Sequence, residues 1–213
     1  MKLRYRPLIV GSLLCLPLLA TISTEKPNGS SQATIAPKCY FSPQDHVDDK
    51  LITFIESEKE DIRIAAYCLT HRGVIKSLIE ARKRGVNVEV IFDPFTIKAR
   101  SPLRQMAQAG ISLYVWDPAS PAGVQEDKAK KDTPRKPLMH NKFCVFGKKV
   151  LWSGSFNFTS EASLSNQENV LVLHDSLAIE RYLGEFERIK NEGCTPYRVY
   201  LANQAATKKK KFY

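Results

Sequence analysis

Residues 138–173 read LMHNKFCVFGKKVLWSGSFNFTSEASLSNQENVLVL, and three short apolar runs within them decide the fold. KFCVF (142–146) and KVLWSG (149–154) meet at Gly147, Lys148 and Lys149, and NVLVL (169–173) follows after a polar stretch. Each run is too short for a stable helix and is rich in β-branched or aromatic residues, so each predicts a strand. Upstream the pattern alternates between two periods. IRIAAYCL (62–69) is a nearly continuous apolar run, as expected of a strand covered on both faces, and VNVEVIF (86–92) and ISLYVW (111–116) repeat the signal. Short CYF (39–41) predicts one more strand.

Helical periodicity separates these strands. DDKLITFIESEKED (48–61) carries Leu51, Ile52, Phe54 and Ile55 on one side. Residues 72–84 turn Val74, Ile75, Leu78 and Ile79 inward and stop at Gly85. Ser101 and Pro102 open a third helix, closed by Gly110, and SLAIERYLGEFERIKNEG (176–193) predicts a long final one. The expected fold is therefore one α/β domain with a mixed β-sheet sandwiched between helices. No internal repeat and no second domain are visible.

The ends read differently. Residues 1–23 begin MKLRYR and run into PLIVGSLLCLPLLA, an apolar stretch shorter than the roughly 20 residues that span a bilayer. A basic start before such a stretch predicts a secretory signal peptide, hence a secreted or periplasmic protein; the alternative is an uncleaved N-terminal anchor. Residues 24–37 read as a linker, 38–196 as the folded domain and 197–213, ending KKKKFY, as a basic tail. Residues 117–137 hold four prolines and dense charge of both signs, which predicts a surface loop. The net charge is +10, of which +7 remains without Lys2, Arg4 and Arg6 of the N-terminal segment. A basic domain attracts phosphate-rich partners, nucleic acid or anionic lipid. Beyond Cys15, four cysteines remain, and Cys39 with Cys194 is one pairing that would staple the domain's ends. None is spaced as a zinc site.

Chemistry concentrates in residues 138–173. His140 and Lys142 are two apart, so an extended backbone sends both to one side; Ser155 and Asn157 repeat that spacing, and Glu168 stands at the entry to the next strand. An imidazole, an ammonium, a hydroxyl, an amide and a carboxylate could then converge at one end of a sheet. The set suits attack on a phosphodiester. Histidine supplies a nucleophile at neutral pH. Lysine faces charge accumulating on the non-bridging oxygens, while the amide and hydroxyl can donate hydrogen bonds there.

H-x-K, then G-S-x-N fourteen to seventeen residues on, then Glu at twenty-eight, resembles the signature of the phospholipase D superfamily. The likeness is to its short single-motif branch of endonucleases, and also to mitochondrial cardiolipin hydrolases. CYFSP (39–43), the run from Asp61 to Asp93, and QMAQAGISLYVWD (105–117) extend it over roughly 38–195. The resemblance implies a phospholipase D-like fold and a phosphodiester hydrolase that needs no cofactor and no metal; the motif's lack of a carboxylate cluster agrees. It implies a phosphohistidine on His140, phosphate binding by Lys142 and Asn157 with Ser155 assisting, and a Glu168 that orients the histidine. With one H-x-K per chain, it also implies a homodimer sharing one active site. Nucleic acid and membrane phospholipid both present the required bond, and a non-catalytic phosphate-binding homologue is a third possibility. The family pattern H-x-K-x-x-x-x-D is broken at its last position, where this sequence has Gly147. Trp152, Phe156 and Phe158 read as core rather than as stacking groups.

Overall fold

The computed structural model describes residues 35–97, 102–117 and 137–210, with side chains described as far as 207. The expected leader or anchor, most of the linker, nearly all of the 117–137 loop, Ser101 and the end of the lysine tail lie outside the described residues. Among the described residues no helix is long and apolar enough to cross a membrane.

Eight strands form one mixed sheet: β1 (Lys38–Ser42), β2 (Asp61–Ala66), β3 (Asn87–Phe92), β4 (Ser112–Trp116), β5 (Lys142–Phe146), β6 (Val150–Gly154), β7 (Glu168–Leu173) and β8 (Cys194–Pro196). Their spatial order is β1-β7-β6-β5-β2-β3-β4-β8. β2, β3 and β4 are parallel, and every other neighbouring pair is antiparallel. The parallel half needs crossovers, which α2 (Arg72–Lys83) and α3 (Leu103–Gln108) accompany along the chain, while α1 (Val47–Ser57) lies between β1 and β2. The antiparallel half is joined by a tight turn and by a connection holding α4 (Ser160–Leu164).

Two apolar layers confirm the sandwich. Ile62, Ile64, Ala66, Val88, Val90 and Phe92 pack with Leu51, Ile55, Val74 and Leu78 of α1 and α2. Ala65, Ile91, Phe143, Val145 and Leu151 pack on the other side with Ile179, Phe186 and Ile189 of α5 (Ser176–Gly193). Covered on both faces, β5 is buried at every position, as its unbroken apolar run requires.

The structure departs from expectation at three places. The 62–69 run leaves the sheet after Ala66; Leu69 stays buried by bridging to Phe158 instead. The residues after Pro196 form α6 (Tyr197–Lys210), and its Tyr197 packs edge-on to Phe92, ring centroids 5.9 Å apart. Finally, Cys39 and Cys194 cannot staple the domain. They lie on β1 and β8, the two opposite edges of the sheet, and both thiols are unbridged. Seven strand spacings of about 4.8 Å separate the edges, against the ~7 Å that a disulfide tolerates between Cα atoms.

The β5–β6 turn explains the missing aspartate. Gly147 sits at φ +55°, and its N–H donates to the Asp61 carbonyl at 2.7 Å. A carboxylate already fills this corner. Glu58, nearly buried, accepts the successive N–H groups of Lys59, Glu60 and Asp61 on one oxygen, at 2.9, 2.7 and 3.3 Å. Its oxygens lie 3.5 and 3.6 Å from where a Cβ on residue 147 would stand. Gly147→Asp should therefore destabilise the domain by about 1–2 kcal/mol through positive φ, and further through repulsion from Glu58. Glu58→Gln in the same chain should recover the repulsive part. Denaturant titrations of the two single variants and the double variant check it, non-additivity being the expected outcome.

Candidate active site

All five residues singled out in the sequence lie at one end of the sheet, and His140, Lys142, Ser155, Asn157 and Glu168, with Gly154, line one open cavity of about 390 Å³. His140 occupies the extended segment before β5, and Lys142 is that strand's first residue. The spacing of two does place them together. Lys142 Nζ lies 3.2 Å from His140 Nδ1 and 3.4 Å from Nε2, and donates to the His140 carbonyl at 2.8 Å. Lys142 is only 8% exposed whereas the histidine ring is open to solvent. Burial pushes the lysine below its ordinary value of 10.5; the Glu168 carboxylate and, more weakly, Cys68 oppose that shift without cancelling it.

Ser155 and Glu168 meet because β6 and β7 approach unusually closely. A side chain at Gly154 would collide with the Asn169 carbonyl, so only glycine fits. Ser155 Oγ then donates to Glu168 Oε2 at 2.6 Å and accepts the Asn169 N–H at 3.0 Å, while Asn166 Nδ2 donates to Glu168 Oε1 at 3.2 Å. In this arrangement the hydroxyl proton belongs to Glu168, and donation to a phosphate would first break that bond. No hydrogen bond joins Glu168 to His140 among the described residues; the carboxylate's partners are Ser155 and Asn166.

Asn157 is held between two buried phenylalanines, and Phe158 ties the segment to the end of β2 by donating to the Cys68 carbonyl at 3.0 Å. Its Oδ1 is buried without a hydrogen-bond partner, an atom held at a cost that a site group commonly bears. Trp152, Phe156 and Phe158 are at most 1% exposed and are core, as expected.

Three residues that sequence reasoning missed support this end. Asp93, nearly buried at the end of β3, accepts the Met139 N–H at 3.1 Å and the Phe95 N–H at 2.9 Å, one on each oxygen. It thereby fixes the backbone next to His140. Tyr67 lies beside the histidine, ring centroids 4.4 Å apart, and Phe95 stacks on Tyr67. An Asp-Pro pair closing a strand was the available signal for Asp93, but it reads equally as an ordinary turn cap. No group of three His, Cys, Asp or Glu side chains is placed to hold a metal ion among the described residues.

An exposed imidazole beside a buried ammonium, with an amide and a carboxylate-held hydroxyl across an open cleft, is a set of groups suited to phosphoryl transfer, and it stands on a mixed α/β sheet. Residues 51–190 match the domain described as "Cardiolipin synthase, PLD-like domain". The chain belongs to the phospholipase D superfamily. It is 31% identical to a phospholipase D of Rickettsia prowazekii over 67% of this chain and 62% of the relative. To a mitochondrial cardiolipin hydrolase of Xenopus tropicalis it is 27% identical, over 72% and 66%. It thus spans somewhat less than two thirds of the length of these relatives. Among solved structures, Nuc of Salmonella typhimurium, a phospholipase D family member, superimposes with a TM-score of 0.63 at 26% identity, covering 76% of this chain and 97% of that one. NucT of Helicobacter pylori shares the fold, with a TM-score of 0.66 at 20% identity over 76% and 99%.

The buried lysine sets a pH limit. Lys142 loses its charge as pH rises through a value below 10.5. Affinity for inorganic phosphate, followed by calorimetry, should fall at a pH lower than an ordinary lysine allows. Lys142→Met should remove that limb and weaken binding about tenfold or more.

Proposed function

We propose that this protein is a phosphodiesterase that cuts nucleic-acid backbones without a metal, through a phosphohistidine on His140, as a homodimer. The observation that carries the reading is the lining of the cleft: His140, Lys142, Gly154, Ser155, Asn157 and Glu168 include no apolar side chain. Such a lining suits a charged sugar-phosphate strand. The net charge of +10 favours the same polyanion, and the motif resembles that of the superfamily's single-motif endonucleases.

His140 attacks phosphorus through a ring nitrogen as the bond to the leaving oxygen breaks, and the partner subunit's His140 gives that oxygen its proton. Water then attacks phosphorus, yields its proton to the partner's His140, and the N–P bond breaks. Lys142 neutralises the non-bridging oxygens and Asn157 donates to them. Glu168, through Ser155, holds the far wall. Two histidines of this kind are needed and each chain holds one H-x-K, so a two-fold axis supplies the second. The exposed Phe41 and Leu171, on one face of the adjacent strands β1 and β7, suit an isologous contact.

Lipid hydrolysis is the second reading. Curated relatives named phospholipase D favour it, as does exposed Leu138, two residues from the nucleophile. On either reading the N-terminal segment directs export or anchors the chain, and sequencing the mature N-terminus separates those two.

Purified protein in EDTA should cleave plasmid, single-stranded DNA or RNA, and His140→Asn should lower the rate about 10³-fold or more. Acid-labile, base-stable phosphate should be trapped on the wild-type chain alone. An excess of His140→Asn mixed with wild type should depress activity beyond dilution, since mixed dimers lack one histidine. Release of phosphatidic acid from vesicles, with every nucleic acid left intact, would replace the nuclease reading by the lipid one.

A further inference from the structure

We propose that Tyr67 is the positioning residue of the cleft, its ring carrying the His140 imidazole and the Lys142 ammonium together; this rests on His140 being the nucleophile. The motif's pattern implies that Glu168 orients the histidine. Among the described residues, however, its carboxylate bonds Ser155 and Asn166, and no hydrogen bond joins it to His140. The neighbours of the imidazole are instead a ring and a cation. The Tyr67 and His140 centroids lie 4.4 Å apart with their planes tilted by 51°. Lys142 Nζ stands over the Tyr67 ring, 5.1 Å from its centroid, and 3.2 and 3.4 Å from the two imidazole nitrogens. An atom so nearly equidistant from both nitrogens would strike a ring carbon if it lay in the imidazole plane. The ammonium therefore stands against the face of the imidazole and is in line with neither nitrogen, so it does not obstruct attack on phosphorus.

Tyr67 is tied to the segment it supports. Its N–H donates to the carbonyl of Asn141, the residue between His140 and Lys142, at 2.9 Å. Its own carbonyl accepts the hydroxyl of the buried Thr96 at 3.0 Å, and the Phe95 ring stacks parallel to it, 5.4 Å between centroids. Two consequences follow for the chemistry. His140 is exposed, and a ring packed beside it removes rotamers that do not face the cleft, which shortens the search for an attack geometry. Lys142 has lost water to burial, and the negative face of an aromatic ring favours its charged form. Both contacts are made by the ring and not by the hydroxyl. Phenylalanine should therefore serve at this position, and an aliphatic residue should not.

The test compares wild type, Tyr67→Leu and Tyr67→Phe, with bis(p-nitrophenyl) phosphate as the diester and inorganic phosphate as the bound anion. Tyr67→Leu should lower kcat about tenfold or more and slow the trapping of phosphate on His140, and Tyr67→Phe should restore both. By calorimetry, the alkaline limb of phosphate binding should lie about half a pH unit or more lower in Tyr67→Leu than in wild type. Tyr67→Phe should return the limb to its place. An unchanged kcat and limb in Tyr67→Leu, or equal damage in both variants, would overturn the proposal. Should Tyr67→Leu not fold, Tyr67→pentafluorophenylalanine takes its place, since it keeps the shape of the ring and removes the negative face; an unmoved limb there overturns the proposal. A wild type that hydrolyses no diester defeats the nucleophile reading instead. The phosphate limb then decides alone whether Tyr67 carries the lysine, and an unmoved limb overturns this proposal as well.

Discussion

The antiparallel pairing of β5 with β2 is the constraint on which everything else depends. It sets Lys142 opposite Ala66, so the start of β5 lies beside the end of the parallel strand β2. β6 returns beside β5 with Ser153 opposite Phe143, and β7 sets out again from Glu168 at the end where β6 finishes. Every reversal therefore delivers its functional residues to the same edge: Tyr67 and Asp93 after β2 and β3, His140 and Lys142 at the start of β5, Ser155 and Asn157 after β6. The sheet changes from parallel to antiparallel at this seam. Open α/β sheets bind ligands at such seams because the connecting chains part there and leave a crevice.

That geometry has an electrostatic consequence. Drawing Lys142 into the end of a fully buried strand strips water from its ammonium, which lowers its hold on a proton. The site offsets this with the His140 carbonyl and the field of Glu168. Glu168 is itself engaged by Ser155 and Asn166, so its charge is positioned rather than mobile. Buried, a cation that has already shed water meets a phosphate at a smaller desolvation penalty than an exposed one would. The orphan oxygen of Asn157 belongs to the same economy of preorganised, incompletely satisfied groups.

Much of this was legible because local pattern and tertiary demand coincide. The apolar runs of β2, β3, β5 and β7 and the amphipathic α1, α2 and α5 follow from period and composition, and spacing of two brings His140 onto Lys142. Gly154 opens the G-S-x-N motif in sequence, but it owes its place to one backbone approach that only the folded sheet reveals. What was illegible depends on distant partners. Asp93 gains its meaning from Met139, 46 residues away. Glu168 reads as a histidine partner from its position in the motif, yet its nearest donors are Ser155 and Asn166. The Cys39–Cys194 staple failed for the same reason, since closeness to the chain's ends says nothing about opposite edges of a sheet.

Gly147 shows how a motif letter and its physical role can separate. A carboxylate at that turn would sit where Glu58 already collects three backbone N–H groups from the α1–β2 connection. The corner needs one negative group to satisfy those donors; two would repel in a place with little water to screen them. With Glu58 present, glycine at positive φ is the residue that lets the turn close and donate to the Asp61 carbonyl. The motif aspartate's position therefore lies at the far end of β5 from His140 and Lys142, where Glu58 supplies the carboxylate instead.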